Sequence, residues 1–179
     1  MRDQRSYFEK ADFHSNLPLQ FLTASLGLIL VIFEIALAQW PFFHGAAPNL
    51  SLIFIYYIMI YHSKLLPIFS IFLMGIFGDF LLSDILGGRA AAFMLLAFSM
   101  QIRLIRLQQS NFGYLWMDFT ISFSLVLLFQ LSLFILLNMV IPSLGSFLFQ
   151  IGITVILLPF GFVIMYAMNS LLQKMKVVG

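Results

Sequence analysis

The chain contains no cysteine and few charged side chains. None of its 179 residues is cysteine, which excludes disulfides and thiolate metal sites. Only 9% of the residues are charged, whereas soluble domains carry about 25%. So few charges cannot cover a core with a water-facing surface, and the composition therefore predicts a polytopic membrane protein.

Residue patterns typical of catalysis or ligand binding are also missing. The three histidines, His14, His44 and His62, share no metal-ligand spacing. The sequence has no Ser/His/Asp set, no acids paired on one face of a predicted helix and no phosphate-binding glycine loop. We therefore predict no catalytic, cofactor-binding or metal-binding residue, no enzyme activity and no nucleic-acid partner.

Apolar residues make up 62% of the chain, including 22 Phe and 10 Met. A helix needs about 20 mostly apolar residues to cross the hydrocarbon layer, and six runs approach that length. The predicted spans are Leu17–Trp40, Leu50–His62, Pro67–Leu86, Ala90–Leu107, Leu115–Val140 and Phe147–Leu172. The second is short and must borrow residues from 47 to 64. The prediction is an all-α bundle of six transmembrane helices over residues 17–172, between an N-terminal tail (1–16) and a C-terminal tail (173–179).

The positions of the basic residues predict the orientation. With both termini cytoplasmic, the inner segments hold all Lys and Arg except Arg89. These inner residues are Arg2, Arg5, Lys10, Lys64, Arg103, Arg106, Lys174 and Lys176. Such a bias obeys the positive-inside rule. It disappears if the second span does not cross the membrane, so the charge pattern supports that span.

Glu34 and Asp79 are single carboxylates deep inside apolar runs. A charged side chain at a helix centre costs roughly 2.5–3.5 kcal/mol on insertion scales, so it is a functional candidate by default. Asp79 shares a helix face with Gly75 and Ser83 at i, i+4, i+8 spacing. Small residues beside an acid allow another backbone to approach while the acid finds a hydrogen-bond partner. We therefore predict Asp79, Gly75, Ser83 and Glu34 as partner-binding or functional polar residues.

Both acids are expected roughly 10 Å below the outer surface, at 1.5 Å per residue. Further polar residues near that depth predict a polar cluster in the outer half of the bundle; they are Asn138, Gln150 and Thr154. No Lys or Arg is expected there, so at least one acid should be protonated and Asp79→Asn should be tolerated. The alternative is that the acids cap helix ends or bind backbone within the bundle.

The remaining charged residues are expected to have ordinary roles. Asp84 and Arg89 should form a local ion pair or be solvated. Asp118 lies near the start of the fifth predicted helix, where a negative charge is favourable. Arg103 and Arg106 should contact anionic lipid headgroups.

Residues 48–100 carry a family resemblance. The segment contains Pro48-Asn49, then Tyr56-Tyr57 in an apolar run, Pro67, and the Gly-x-x-x-Asp spacing of Gly75 and Asp79. A Gly87-Gly88 turn and an alanine-led helix follow. This pattern resembles MreD, the small polytopic membrane protein of the bacterial rod-shape system. The similarity covers under a third of the chain.

The resemblance implies a non-enzymatic component of the cell-elongation complex, or elongasome, in the bacterial cytoplasmic (inner) membrane. Its implied partners are the single-span protein MreC, indirectly the actin-like MreB, and the peptidoglycan polymerase and transpeptidase that build the lateral wall. It also implies kinship with the membrane substrate-binding subunits of energy-coupling-factor transporters, which is the alternative function. Those subunits dock through an Ala-x-x-x-Ala face on the first helix, and Ala24, Ala36 and Ala38 do not form one here. A third possibility is an ion or proton carrier that uses the two acids.

Overall fold

A computed structural model describes residues 2–43, 47–82, 87–139 and 144–177. These residues form α-helices, one short 3-10 turn at Pro41–Phe43, and no strand. The helices are α1 (Arg2–Ala38), α2 (Leu50–Tyr61), α3 (Ile68–Leu82), α4 (Gly88–Gln108), α5 (Phe112–Asn138) and α6 (Leu144–Val177). The all-helical prediction is confirmed. Residues 2–16, predicted as a tail, are helical and continuous with the first apolar run.

Within the described ranges, four helices are long and apolar enough to cross a membrane. The apolar stretches are Pro18–Ala38, Gly88–Gln108, Phe112–Asn138 and Gly145–Ala167. Their outward faces carry large apolar side chains, among them Phe21, Ile102 and Phe160, which are 79%, 87% and 63% exposed. An apolar exterior on this scale suits lipid and not water. The length and composition of these helices therefore indicate a membrane protein.

Helices α2 and α3 are shorter, with 12 and 15 residues. At 1.5 Å per residue they measure about 18 and 22 Å, less than the roughly 30 Å of the hydrocarbon layer. The ten residues Ser51–Ile60 of α2 are all buried, which agrees with a sequence that is apolar on every side. Helix α2 is therefore the centre of the bundle, packed against α1, α4 and α6.

Aromatic rings fill the space around α2. The rings of Tyr56 and Phe119 meet edge to face with centroids 5.0 Å apart, and Tyr57 meets Phe162 in the same way at 5.2 Å. A Cβ on Gly161 would lie 2.8 Å from the Ile53 side chain, so glycine lets α6 approach α2 closely. Helix α3 packs against α1 and α4.

Candidate functional site

Glu34 on α1 is buried and fully engaged. Its Oε1 lies 3.1 Å from Nη1 of Arg89 on α4, forming an ion pair. Its Oε2 accepts hydrogen bonds from the hydroxyl of Ser51 at 2.8 Å and from the backbone N–H of Ser51 at 3.3 Å. Because Ser51 lies in the first turn of α2, Glu34 caps the N-terminus of the next helix in the chain.

Asp79, near the end of α3, caps the N-terminus of α4 in the same way. Its Oδ2 accepts the backbone N–H of Gly87 at 2.8 Å, and its Oδ1 accepts that of Arg89 at 3.0 Å. The N–H of Ala90 lies 3.4 Å from Oδ2. These donors belong to the start of α4, whose first N–H groups have no partner within the helix. Asp79 is thus the N-terminal cap of α4, supplied by the preceding helix.

Two glycines on α3 make this arrangement possible. A Cβ on Gly75 would lie 2.3 Å from Cα of Ala90, so only glycine allows the two backbones to come this close. A Cβ on Gly78 would lie 2.8 Å from Cδ of Arg89. The side chain of Arg89 therefore crosses α3 over Gly78 on its way to Glu34 on α1.

We call Glu34, Ser51, Asp79 and Arg89 the Arg89 cluster. It contains two carboxylates and one guanidinium, which leaves one formal negative charge. Each helix N-terminus is equivalent to roughly half a positive charge, and the cluster holds the N-termini of both α2 and α4. The two dipoles therefore offset the remaining negative charge.

A second ion pair joins α4 to α5. Arg103 and Asp118 are paired through Nη1 and Oδ1. The Nη2 of Arg103 also donates to the hydroxyls of Ser99 at 2.6 Å and Ser122 at 2.9 Å. The hydroxyl of Tyr56 on α2 lies 3.2 Å from Oδ2 of Asp118. We call these five residues the Arg103 cluster.

The two clusters lie at opposite ends of α4. Arg89 and Arg103 are separated by about 21 Å along the helix axis, at 1.5 Å per residue. Their spacing of two heptads keeps both side chains near one face of the helix. Helix α4 is thus fixed at one end to α1 and α3 and at the other end to α2 and α5.

Further polar contacts hold α6 to the rest of the bundle. The Thr154 hydroxyl accepts the backbone N–H of Asn49 at 3.1 Å, and the Gln150 amide donates to the carbonyl of Ala47 at 3.2 Å. These contacts are at the start of α2, beside the Arg89 cluster. Of the three residues predicted to join a polar cluster, Gln150 and Thr154 therefore lie at the start of α2, whereas Asn138 bonds the carbonyl of Phe134 in its own helix.

A proline in α6 creates one more interhelical bond. Pro159 has no N–H, so the carbonyl of Val155 loses its usual partner within the helix. The indole N–H of Trp116 on α5 donates to that carbonyl at 3.0 Å. Trp116 therefore supplies the donor that Pro159 removes.

The contacts confirm some predictions for the site and correct others. The close approach expected from Gly75 and Asp79 is confirmed, and the approaching backbone is that of α4. The expectation that no basic residue reaches the acids is wrong, because Arg89 pairs with Glu34. Arg89 was instead expected to pair with Asp84 or to be solvated. Ser83 and Asp84 lie outside the described residues.

The expectation for Arg103 is also wrong. It was assigned to lipid headgroups, but it forms an ion pair with Asp118 because α4 and α5 are adjacent and antiparallel. Asp118 is buried and has the structural role expected of it, although its partner is a side chain and not a helix terminus. A sequence signal was available, since both residues are about equally far from the turn at Asn111.

Comparison with known protein families, curated proteins and solved structures finds no match to this chain.

Proposed function

We propose that the chain is a non-enzymatic membrane component of the bacterial cell-elongation complex, of the MreD type. It would scaffold lateral peptidoglycan synthesis through MreC, indirectly MreB, and the wall-building polymerase and transpeptidase. The proposal rests on Gly75 and Asp79. Their Gly-x-x-x-Asp spacing is part of the resemblance to MreD, and the same two residues join α3 to α4. Among the described residues, every buried side-chain nitrogen and oxygen atom has a hydrogen-bond partner. Polar groups used in this way stabilise a framework, which suits a scaffold.

The proposal includes six membrane crossings with both termini in the cytoplasm of a bacterial inner membrane. Crossings by the short helices α2 and α3 would be completed by the residues that flank them, and Lys64 would reach the headgroups. The distribution of Lys and Arg supports this arrangement. Reporter fusions at Ala46, Gly88 and Ser143 should read as external, and fusions at Lys64, Ser110 and the C-terminus as internal. An external C-terminus would require an odd number of crossings.

Glu34, Gly75, Ser83 and Asp79 retain their proposed role in partner binding, now by a specific route. Glu34 and Asp79 are each only 3% exposed, so a partner helix would not contact them directly. They would affect partner binding by fixing the positions of α1, α3 and α4. The surface offered to a partner would be the face of α3 that points away from the bundle. Its exposed apolar residues include Phe69 and Phe80.

Co-purification from mild detergent tests the proposal. The tagged chain should retain a single-span MreC-like protein and wall-synthesis enzymes, which mass spectrometry would identify. Recovery of coupling-factor ATPases would instead support the alternative, a membrane substrate-binding subunit of a vitamin transporter. A Phe160→Leu variant is a suitable control, because this side chain lies on α6, away from the proposed α3 surface, is 63% exposed, and its replacement leaves the Arg89 cluster intact.

A further inference from the structure

The packing of α5 ends halfway along the helix. Val126 and Leu127 are 4% and 2% exposed, whereas no described residue from 128 to 139 is buried. The neighbouring end of α6 is similar, since residues 145–153 include no buried residue and burial begins at Thr154. The face of α5 that forms the core therefore continues beyond Leu127 with only partial cover from the described part of the chain.

Gln130 lies on this partly covered continuation, one turn beyond Val126 and Leu127. Other polar side chains of the same region are engaged within the chain. Ser132 donates to the carbonyl of Phe129, and Asn138 donates to that of Phe134. Gln130 is partly buried and forms no hydrogen bond with any residue that the structure describes.

An amide in this position requires a partner. Gln130 is about 12 Å from the end of α5 at Asn138, at 1.5 Å per residue, and so lies within the hydrocarbon layer if α5 spans it. Lipid tails neither donate nor accept hydrogen bonds, so an unpaired amide there is costly. Glutamine side chains in such positions bind across helices. No residue in the described part of the chain supplies such a partner, so a helix of another molecule can supply it.

We propose that this helix is α5 of a second copy of the chain. Two copies inserted with the same orientation present Gln130 at the same depth, whatever that orientation is. A primary amide both donates and accepts, so two Gln130 side chains on a two-fold axis satisfy one another. Leu133 and Leu137 follow at heptad spacing on the same face and would pack across the axis.

Energy transfer between donor-labelled and acceptor-labelled full-length chains in lipid vesicles tests this proposal. Gln130→Leu should weaken self-association about 3- to 30-fold, the range for one polar contact between membrane helices. Gln130→Asn should retain most of it, because the amide is kept. Gln101→Leu removes an exposed glutamine from α4 and should leave self-association unchanged. Unaltered transfer in Gln130→Leu would overturn the proposal.

Disulfide cross-linking identifies the face directly, because the natural chain contains no cysteine. Gln130→Cys should still give covalent dimers on mild oxidation in native membranes, because Leu133 and Leu137 remain to pack across the axis and the disulfide traps the weakened pair. Leu128→Cys lies at nearly the same depth on the opposite face of α5, and should give few. Dimers from Leu128→Cys alone, or cross-links from Gln130→Cys only to a different protein, would contradict a symmetric pair of α5 helices.

Discussion

The guanidinium of Arg89 lies 3.1 Å from the carboxylate of Glu34, which is 55 residues away along the chain. The backbone N–H of the same arginine donates to Asp79 at 3.0 Å. One residue at the start of α4 is therefore bound by its side chain to α1 and by its backbone to α3. The two acids that are most unusual for a membrane sequence meet at this arginine.

The ion pair predicts a specific pattern in a double-mutant cycle. Arg89→Met should destabilise the protein by about 3–5 kcal/mol, because it leaves Glu34 buried without its partner. Glu34→Gln combined with Arg89→Met should recover much of that loss, since the amide keeps its contact with Ser51 and carries no charge. The free energy of unfolding in detergent measures both effects. Arg106→Met, at an exposed site on the same helix, is the control, and equal losses in the single and double variants would refute the pairing.

Asp79→Asn is predicted to be harmful. Both oxygens of Asp79 accept backbone N–H groups, and in the variant one acceptor becomes an NH₂ group that faces a donor. The expected loss is about 1–3 kcal/mol, the cost of leaving a buried donor unsatisfied. This reverses the expectation from sequence, which rested on a protonated acid. Thermal unfolding of the purified variant, measured beside Phe80→Leu, tests this prediction, and an unfolding midpoint equal to that of the wild type would contradict it.

The glycine positions can be compared directly. Gly75→Ala should destabilise the α3–α4 contact by about 1–3 kcal/mol, because the new methyl group meets the backbone of Ala90 and cannot be accommodated. Gly152→Ala on α6 is the matched control, since a Cβ there has no neighbour within 4 Å. It should be neutral or slightly stabilising, as alanine favours helices. Similar behaviour of the two variants in the same unfolding assay would argue against the close approach.

Trp116 and Pro159 should be energetically coupled. Trp116→Phe removes the donor to the Val155 carbonyl and should cost about 1 kcal/mol from the lost bond. In a Pro159→Ala background the helix supplies its own N–H to that carbonyl, so the same change should cost less. A double-mutant cycle on the free energy of unfolding measures the difference. Strict additivity would mean that the indole does not replace the missing helix bond.

The sequence predicted the parts of this site that depend on local spacing. Gly75 and Asp79 are one helical turn apart, so a close backbone approach at an acid could be inferred without knowing which helix approaches. The Glu34–Arg89 pair was missed because it depends on how α1 and α4 are placed around α3. A clue was present, since Arg89 was the one basic residue predicted on the outer side, where Glu34 needed a partner. The full burial of α2 likewise follows from its position between three helices, which its uniform apolar sequence permits but does not specify.

Depletion of the protein from a rod-shaped host tests the proposed function most directly. The proposal predicts that the cells widen and become spherical, that a plasmid copy restores rods, and that no vitamin added to the medium does so. An Arg89→Met copy, which disrupts the Arg89 cluster, should restore shape less well than an Arg106→Met copy at matched membrane levels. Cells that keep a normal rod shape after depletion, or whose growth defect is relieved by a vitamin, would contradict the proposal.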